Sequence, residues 1–398
     1  MNSRMKWTVL GVVLVSINLV SAQEEQVNRN AGASDRYWTA PRIQSDPPVE
    51  VPGNPSSITT NLVIENDILR VTWTGSALNI ANKTSGTTFL DGSFNIAGGV
   101  GKSAAYNHKM LGPGQGIEIT NPDGSVDRVM LFPHLPFVLL RTVLIDGGTN
   151  SWVVKTVRPF QGRVHLASPA SRLKVLGSAG LTGPEKNPGS YNWLTVADPQ
   201  TRNGVVFGWL TSEHGCGVLF DKVEGDAVRV GAQIDFGRLT VGAGKTNYLE
   251  TLAIGYFDDA RIGLETFAGT IAREQDIALP PQPTVYCTWY SQPYGQAADE
   301  QHFAENTAFA ETNLGPFGFS VAQIDDHWQS GVSTNGPKRG FLEAAPSGPY
   351  PHGMKATADA VKAMGVKPGL WFLPFTGTYY DPIFSDHQDW FVHHTDGR

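Results

Sequence analysis

Phe319-Ser320-Val321-Ala322-Gln323-Ile324-Asp325-Asp326-His327-Trp328-Gln329 is the stretch on which the reading turns. It begins as a short apolar strand and runs straight into two adjacent carboxylates and an aromatic. Neighbouring acids repel and are costly to desolvate, so a pair at a strand end points to a chemical role such as gripping hydroxyls, holding a cation or moving a proton. The bland reading is a surface turn after a strand.

The flanking sequence sets the fold. Val285-Tyr286-Cys287-Thr288-Trp289-Tyr290 reads as a buried strand, and Ala298 to Thr312 as a helix with Phe303, Thr307, Ala308 and Phe309 at helical spacing. After the acidic stretch, Met354 to Met364 reads as a second helix with Ala356, Ala360, Val361 and Met364 on one face. Val366 to Phe375 contains a third strand. Strand, helix, strand, helix, strand is the pattern of a parallel sheet with crossover helices. Trp289, then Asp325 and Asp326, then Trp371 follow successive strands, which favours a (β/α)8 barrel over an open sheet with one switch point. No glycine-rich phosphate loop follows these strands, so nothing supports a nucleotide. A barrel takes about 250 residues. The 115 residues from Thr284 to Arg398 hold roughly three of its eight units. The expectation is an incomplete (β/α)8 barrel, 284–398, in a C-terminally truncated chain.

Upstream, residues 59–257 carry short apolar runs between Gly, Asn, Asp and Pro. They include Leu62–Ile64, Ile68–Trp73, Leu78–Ile80, Phe137–Ile145, Trp152–Val157, Gly204–Leu210, Gly217–Phe220 and Tyr248–Tyr256. This texture predicts an antiparallel β-sandwich. In 258–283 a helix starts at Asp258-Asp259-Ala260, with Ile262, Leu264, Phe267, Ala268 and Ile271 as its apolar stripe. The cluster Leu279-Pro280-Pro281-Gln282-Pro283 then marks a domain boundary. Residues 23–58 are polar and Pro-rich and read as a linker or arm, with Trp38 docked on the next domain. Residues 1–22 read as a signal peptide: Arg4 and Lys6, an apolar run from Trp7 to Val20, and small residues before cleavage after Ala22. The mature chain is expected to be secreted or periplasmic, without a membrane span.

The 398 residues include 44 Gly, 26 Pro and ten Trp, and the net charge of −7 disfavours nucleic acid as a partner. Cys216 and Cys287 are compatible with a disulfide or with two free, buried thiols, and their spacing makes no zinc motif. Glu213-His214-Gly215-Cys216 reads as a turn and not as an activated thiol, and His393-His394 as a solvated pair. No cofactor and no metal are expected.

For Asp325 and Asp326 three roles stay open on the residues alone. A metal site would recruit His327, but strand neighbours face opposite ways. An acid/base pair would have to flank a scissile bond, at ~5–5.5 Å or wider. Paired acceptors would make charge-assisted hydrogen bonds to vicinal sugar hydroxyls, with Trp289 and Trp371 as apolar walls.

Three further runs add to this. They are Pro351-His352-Gly353-Met354, then Gly365-Val366-Lys367-Pro368-Gly369-Leu370-Trp371-Phe372-Leu373-Pro374-Phe375, then His387-Gln388-Asp389-Trp390-Phe391-Val392. With Trp289-Tyr290-Ser291 and the acidic stretch, in order over about 110 residues, the chain resembles the clan D retaining glycosidases, closest to the family 36 α-galactosidases. The resemblance implies a β-supersandwich before a barrel. It implies exo-acting hydrolysis of terminal α-galactosides, in oligosaccharides or polysaccharides, with retention. It carries recognition of the sugar's 4- and 6-hydroxyls onto Asp325 and Asp326, and the aromatic walls onto Trp289 and Trp371. His327, where many members have Gly or Cys, and Trp328 fall at the pocket rim. The family's nucleophile, in a Lys-x-Asp after the fourth strand, and its acid/base after the sixth are expected beyond residue 398. Asp381, Asp386, Asp389 and Asp396 match neither, so no catalytic residue is assigned. The alternatives are an α-N-acetylgalactosaminidase or galactosyl transferase of the same fold, and a non-catalytic carbohydrate-binding protein.

Overall fold

A computed structural model describes residues 61–290, 298–331, 338, 340–373 and 382–391. The leader, the Pro-rich arm with Trp38, and the His393-His394 pair lie outside them. The chain divides between Ala278 and Leu279 into two compact units.

The first unit is a β-sandwich. One sheet runs in the order Leu62–Glu65, Leu69–Trp73, Leu78–Asn82, Thr88–Phe94, Trp152–Val164, Ala227–Val241, Cys216–Glu224, Ser190–Tyr191. The other runs Gly180–Thr182, Lys174–Gly177, Trp193–Ala197, Gly204–Trp209, Thr246–Phe257, Val138–Ile145, Val126–Leu131, Gly112–Thr120, Val100–His108. Neighbours within both sheets pair antiparallel. Inward positions of both sheets, such as Val71, Ile80, Leu90 and Val230 against Ile117, Leu140, Val196 and Leu252, make one core, as alternation across a pleat requires.

Gly204–Trp209 is buried at every position. Val205, Phe207 and Trp209 face the sandwich core, while Val206 faces a second cluster with Phe267. Phe267 stands on the helix Ala260–Glu274, which Asp259 caps by accepting the Arg261 backbone N–H. Glycine is required at position 208, because a Cβ there would collide with the Phe267 ring. The helix buries Ala260, Gly263, Phe267 and Thr270. The expected stripe is therefore displaced, and Ile262 is 54% exposed.

In the second unit three parallel strands are joined by two helices: β1 Thr284–Cys287, α1 Glu300–Leu314, β2 Phe319–Ile324, α2 Gly353–Ala363 and β3 Lys367–Leu370. The sheet order is β1-β2-β3, with β2 central. This is the expected alternation, with corrections of detail. β1 is an edge strand and not a buried one; Val285 is 43% exposed, and the chain turns into a 3₁₀ helix at Thr288–Tyr290. On α1 the buried face is Phe303, Thr307 and Ala310, and Phe309 is 67% exposed. On α2 it is Thr357 and Val361, while Ala356 and Ala360 face outward. Phe303, Ala322, Ile324, Trp328, Tyr350, Val361 and Val366 form the core between sheet and helices.

Candidate functional site

The C-terminal ends of the three strands surround a cavity of about 330 Å³, lined by Cys287, Trp289, Tyr290, Asp325, Asp326 and Trp371. Trp289, Asp325, Asp326 and Trp371, distant in sequence, are thus brought to one place. The backbone explains how two adjacent carboxylates reach the same cavity. β2 ends at Ile324, so the alternation of a strand does not govern the pair. The chain then turns through His327, whose φ of 84° lies in the left-handed region.

Each carboxylate is fixed by neighbours. The Asp325 backbone N–H donates to Thr288 Oγ1 (2.8 Å), tying the end of β2 to the buried turn after β1. Asp325 Oδ1 accepts from the Asp326 N–H (2.9 Å). Oδ2 accepts from Gln323 Nε2 (3.1 Å) and from the Cys287 thiol (3.3 Å). The Asp326 side chain is buried more deeply. Its Oδ1 accepts from the His327 N–H (2.7 Å) and from Gln329 Nε2 (2.6 Å). Its Oδ2 lies 4.0 Å from His327 Nε2. Gln329, which the sequence reading did not single out, also donates to the Lys338 carbonyl (2.7 Å), so it anchors Asp326 to the following loop.

Trp371 is held from behind. Its N–H donates to the Ile324 carbonyl (2.9 Å), its carbonyl accepts the Trp328 indole N–H (2.9 Å), and its ring meets Phe341 edge-on at 6.1 Å. This corrects the expectation for Trp328. It is only 2% exposed, belongs to the core and supports the wall from behind instead of forming the rim. His327 is exposed beside Asp326.

Burial pushes the Cys287 thiol up, and the Asp325 carboxylate adds to that against the Trp289 backbone N–H. Sγ therefore keeps its proton at neutral pH. Both cysteines are free; Cys216 is exposed and Cys287 half-buried, so neither the disulfide nor two fully buried thiols is observed. Among the described residues no group of three or more His, Cys, Asp and Glu could hold a metal ion.

The Glu213–Cys216 segment is a turn wrapped on a buried carboxylate. Glu250 accepts the N–H groups of Glu213 (3.1 Å), His214 (2.6 Å) and Gly215 (3.0 Å) and the Thr211 hydroxyl. Burial raises the Glu250 pKa, but these four donors outweigh it and hold it below the usual carboxylate range.

What the cavity offers is a pair of fixed, differently buried acceptors in a lining that includes two indoles. This suits a polyhydroxylated ring with one polar edge and apolar C–H faces. The fold has counterparts among solved structures. The α-galactosidase from Lactobacillus brevis is similar at TM-score 0.56 and 11% identity, covering 87% of this chain and 59% of that one. A doubly substituted GH36 α-galactosidase AgaA from Geobacillus stearothermophilus, in complex with raffinose, gives 0.53 at 11% identity, over 85% of this chain and 60% of that one. The GH36 α-galactosidase AgaB from the same organism gives 0.50 at 13% identity, over 87% and 60%. The chain is related in fold to the GH36 α-galactosidases. It spans about three-fifths of the length of these neighbours. No protein-family model matches it.

Proposed function

We propose that this protein is an exo-acting retaining glycoside hydrolase for terminal α-galactosides. In this reading the second unit is the first part of a (β/α)8 barrel and supplies the wall that recognises the sugar. The observation that carries it is the convergence of Asp325, Asp326, Trp289 and Trp371 on one cavity at the strand ends. The fold shared with α-galactosidases supports galactose as the sugar in this reading.

In this reading, which takes the hydroxyl roles from the family resemblance, the labour divides as follows. The axial 4-hydroxyl distinguishes galactose from glucose, and the paired carboxylates accept from it and from the 6-hydroxyl. These are charge-assisted bonds, roughly twice as strong as neutral ones. Trp289 and Trp371 cover the C–H faces and exclude water. Retention needs two carboxyls about 5–5.5 Å apart on either side of the scissile bond, one a nucleophile and the other an acid/base. Asp325 and Asp326 are consecutive residues on one turn, tied together by the Asp326 N–H. They are assigned to binding and not to bond cleavage. The same reading takes residues 1–22 as an export signal, so the exported protein begins at Gln23, as Edman sequencing of the secreted or periplasmic form would read.

The test is turnover of nitrophenyl α-galactoside by the protein carrying the expected nucleophile and acid/base, against the α-glucoside and the α-N-acetylgalactosaminide, with the anomer of the first product read by NMR. Galactoside preference with α-galactose released first supports the proposal. Preference for the N-acetyl sugar moves the activity to an α-N-acetylgalactosaminidase, and β-galactose released first overturns retention. A second reading, a non-catalytic galactoside-binding protein, is favoured by one observation: among the described residues, Asp325 and Asp326 are the only acids lining the cavity. Binding without turnover by the protein carrying those two groups would establish it.

A further inference from the structure

Asp325 takes part in a cluster that the sugar-recognition reading does not use. Gln323 lies on β2 and Asp325 just past its end, and the hydrogen bond between their side chains puts both on one side of the chain. Cys287 stands opposite Gln323 in the parallel register of β1 and β2. The three side chains therefore converge, with Asp325 Oδ2 accepting from Sγ at 3.3 Å and from Gln323 Nε2 at 3.1 Å, while Gln323 Nε2 lies 3.8 Å from Sγ. Cys287 also lines the cavity, next to the carboxylate it touches.

We propose that Cys287 is a positioning residue for Asp325: its thiol, with the Gln323 amide, fixes Oδ2 so that the carboxylate presents its remaining lone pairs to a hydroxyl in the cavity. This rests on the sugar-binding role proposed above for Asp325. A carboxylate at a strand end has two side-chain torsions to lose on binding. Donors already on both oxygens remove much of that freedom before the sugar arrives. A thiol is a weak but neutral donor, so it orients Oδ2 without neutralising the charge that the hydroxyl needs. The protonated state agrees, since burial and Asp325 itself keep the proton on sulfur.

Two measurements test this, and they fail separately. The first is the rate of Cys287 alkylation by iodoacetamide against pH, read by peptide mass spectrometry, for the wild type and Asp325→Asn. Removing the carboxylate lowers the thiol pKa, so the profile moves to lower pH and alkylation at pH 8 is at least about threefold faster. An unchanged profile overturns the proposal, whatever the sugar does. The second is methyl α-galactoside affinity, with thermal melts as the control for folding. Cys287→Ala is expected to weaken binding about three- to tenfold, and Cys287→Ser, which keeps a donor, to restore it to within about twofold. Binding by Cys287→Ala equal to wild type, or no recovery in Cys287→Ser, contradicts a positioning role. A shifted alkylation profile in a protein that binds no galactoside overturns the sugar reading of Asp325, and the positioning purpose with it, while the thiol–carboxylate bond stands.

Discussion

His327 occupies φ 84° with a Cβ, a conformation that costs a non-glycine residue roughly 1–2 kcal/mol. Local strain of this kind persists where surrounding structure enforces it, and here it accompanies the hydrogen bond from the His327 N–H to Asp326 Oδ1. His327→Gly should raise the unfolding free energy by about 0.5–1 kcal/mol, once the extra freedom of glycine in the unfolded chain is offset. Urea denaturation checks this, and a loss of stability would show that the imidazole holds the turn. Asp326→Asn keeps an acceptor for the His327 N–H but removes the charge, so galactoside affinity should fall tenfold or more by titration calorimetry. At this scale the sequence was informative about residue type and silent about direction. Asp325, Asp326, Trp289 and Trp371 were legible because chemistry-bearing residues closed three successive strands. Trp328 was misplaced because an indole beside a site reads the same whether it faces the cavity or the core. The left-handed turn that decides the matter lies one residue earlier.

At the scale of elements, alternation and capping were readable where burial is one-sided or complete. Gly204–Leu210 stands out because both faces of that strand are covered, which makes a continuous apolar run. The outer hairpins, Val100–His108 with Gly112–Thr120, do not stand out. They are rich in Gly and polar residues, and their glycines make room for rings of neighbouring strands, as Gly116 does for Tyr106. The strand–helix contact at Gly208 gives a test. Gly208→Ala should destabilise the first unit by about 1–3 kcal/mol through overpacking against Phe267, seen as a lower urea midpoint; Phe267→Leu in the same chain should recover part of the loss. The Glu250 clasp gives a pH signature. Its folded pKa is depressed, so its stabilisation is present above the unfolded value of about 4.3 and is lost as pH falls through the folded value. Between pH 5 and pH 3 the wild type should therefore lose more stability than Glu250→Gln, although it starts higher. Equal slopes would mean that the clasp does not titrate in folding.

The whole molecule combines an antiparallel sandwich, built partly of local hairpins and partly of strands paired across long connections, with a short parallel sheet whose strands are joined by helices. Periodicity separates these two classes well, since a period of two gives way to one of 3.6 along the chain. Side-chain direction at the strand ends follows from turns that periodicity does not encode. The cavity therefore had to be seen in three dimensions, even though four of its six lining residues were legible beforehand. Asp198 shows how far the sandwich depends on buried carboxylates. Although burial raises its pKa, donors from Ser168, the Gln200 backbone and Arg172 hold it at about 2. Asp198→Asn should lower stability by about 1.5–3 kcal/mol near neutral pH, by urea titration. The central claim, that two consecutive aspartates in a cavity lined also by two indoles read galactose, is tested most directly by calorimetric titration of the protein with methyl α-galactoside and methyl α-glucoside. The galactoside is expected to bind at least about tenfold more tightly; equal affinity, or tighter binding of the glucoside, would contradict that role of the aspartates.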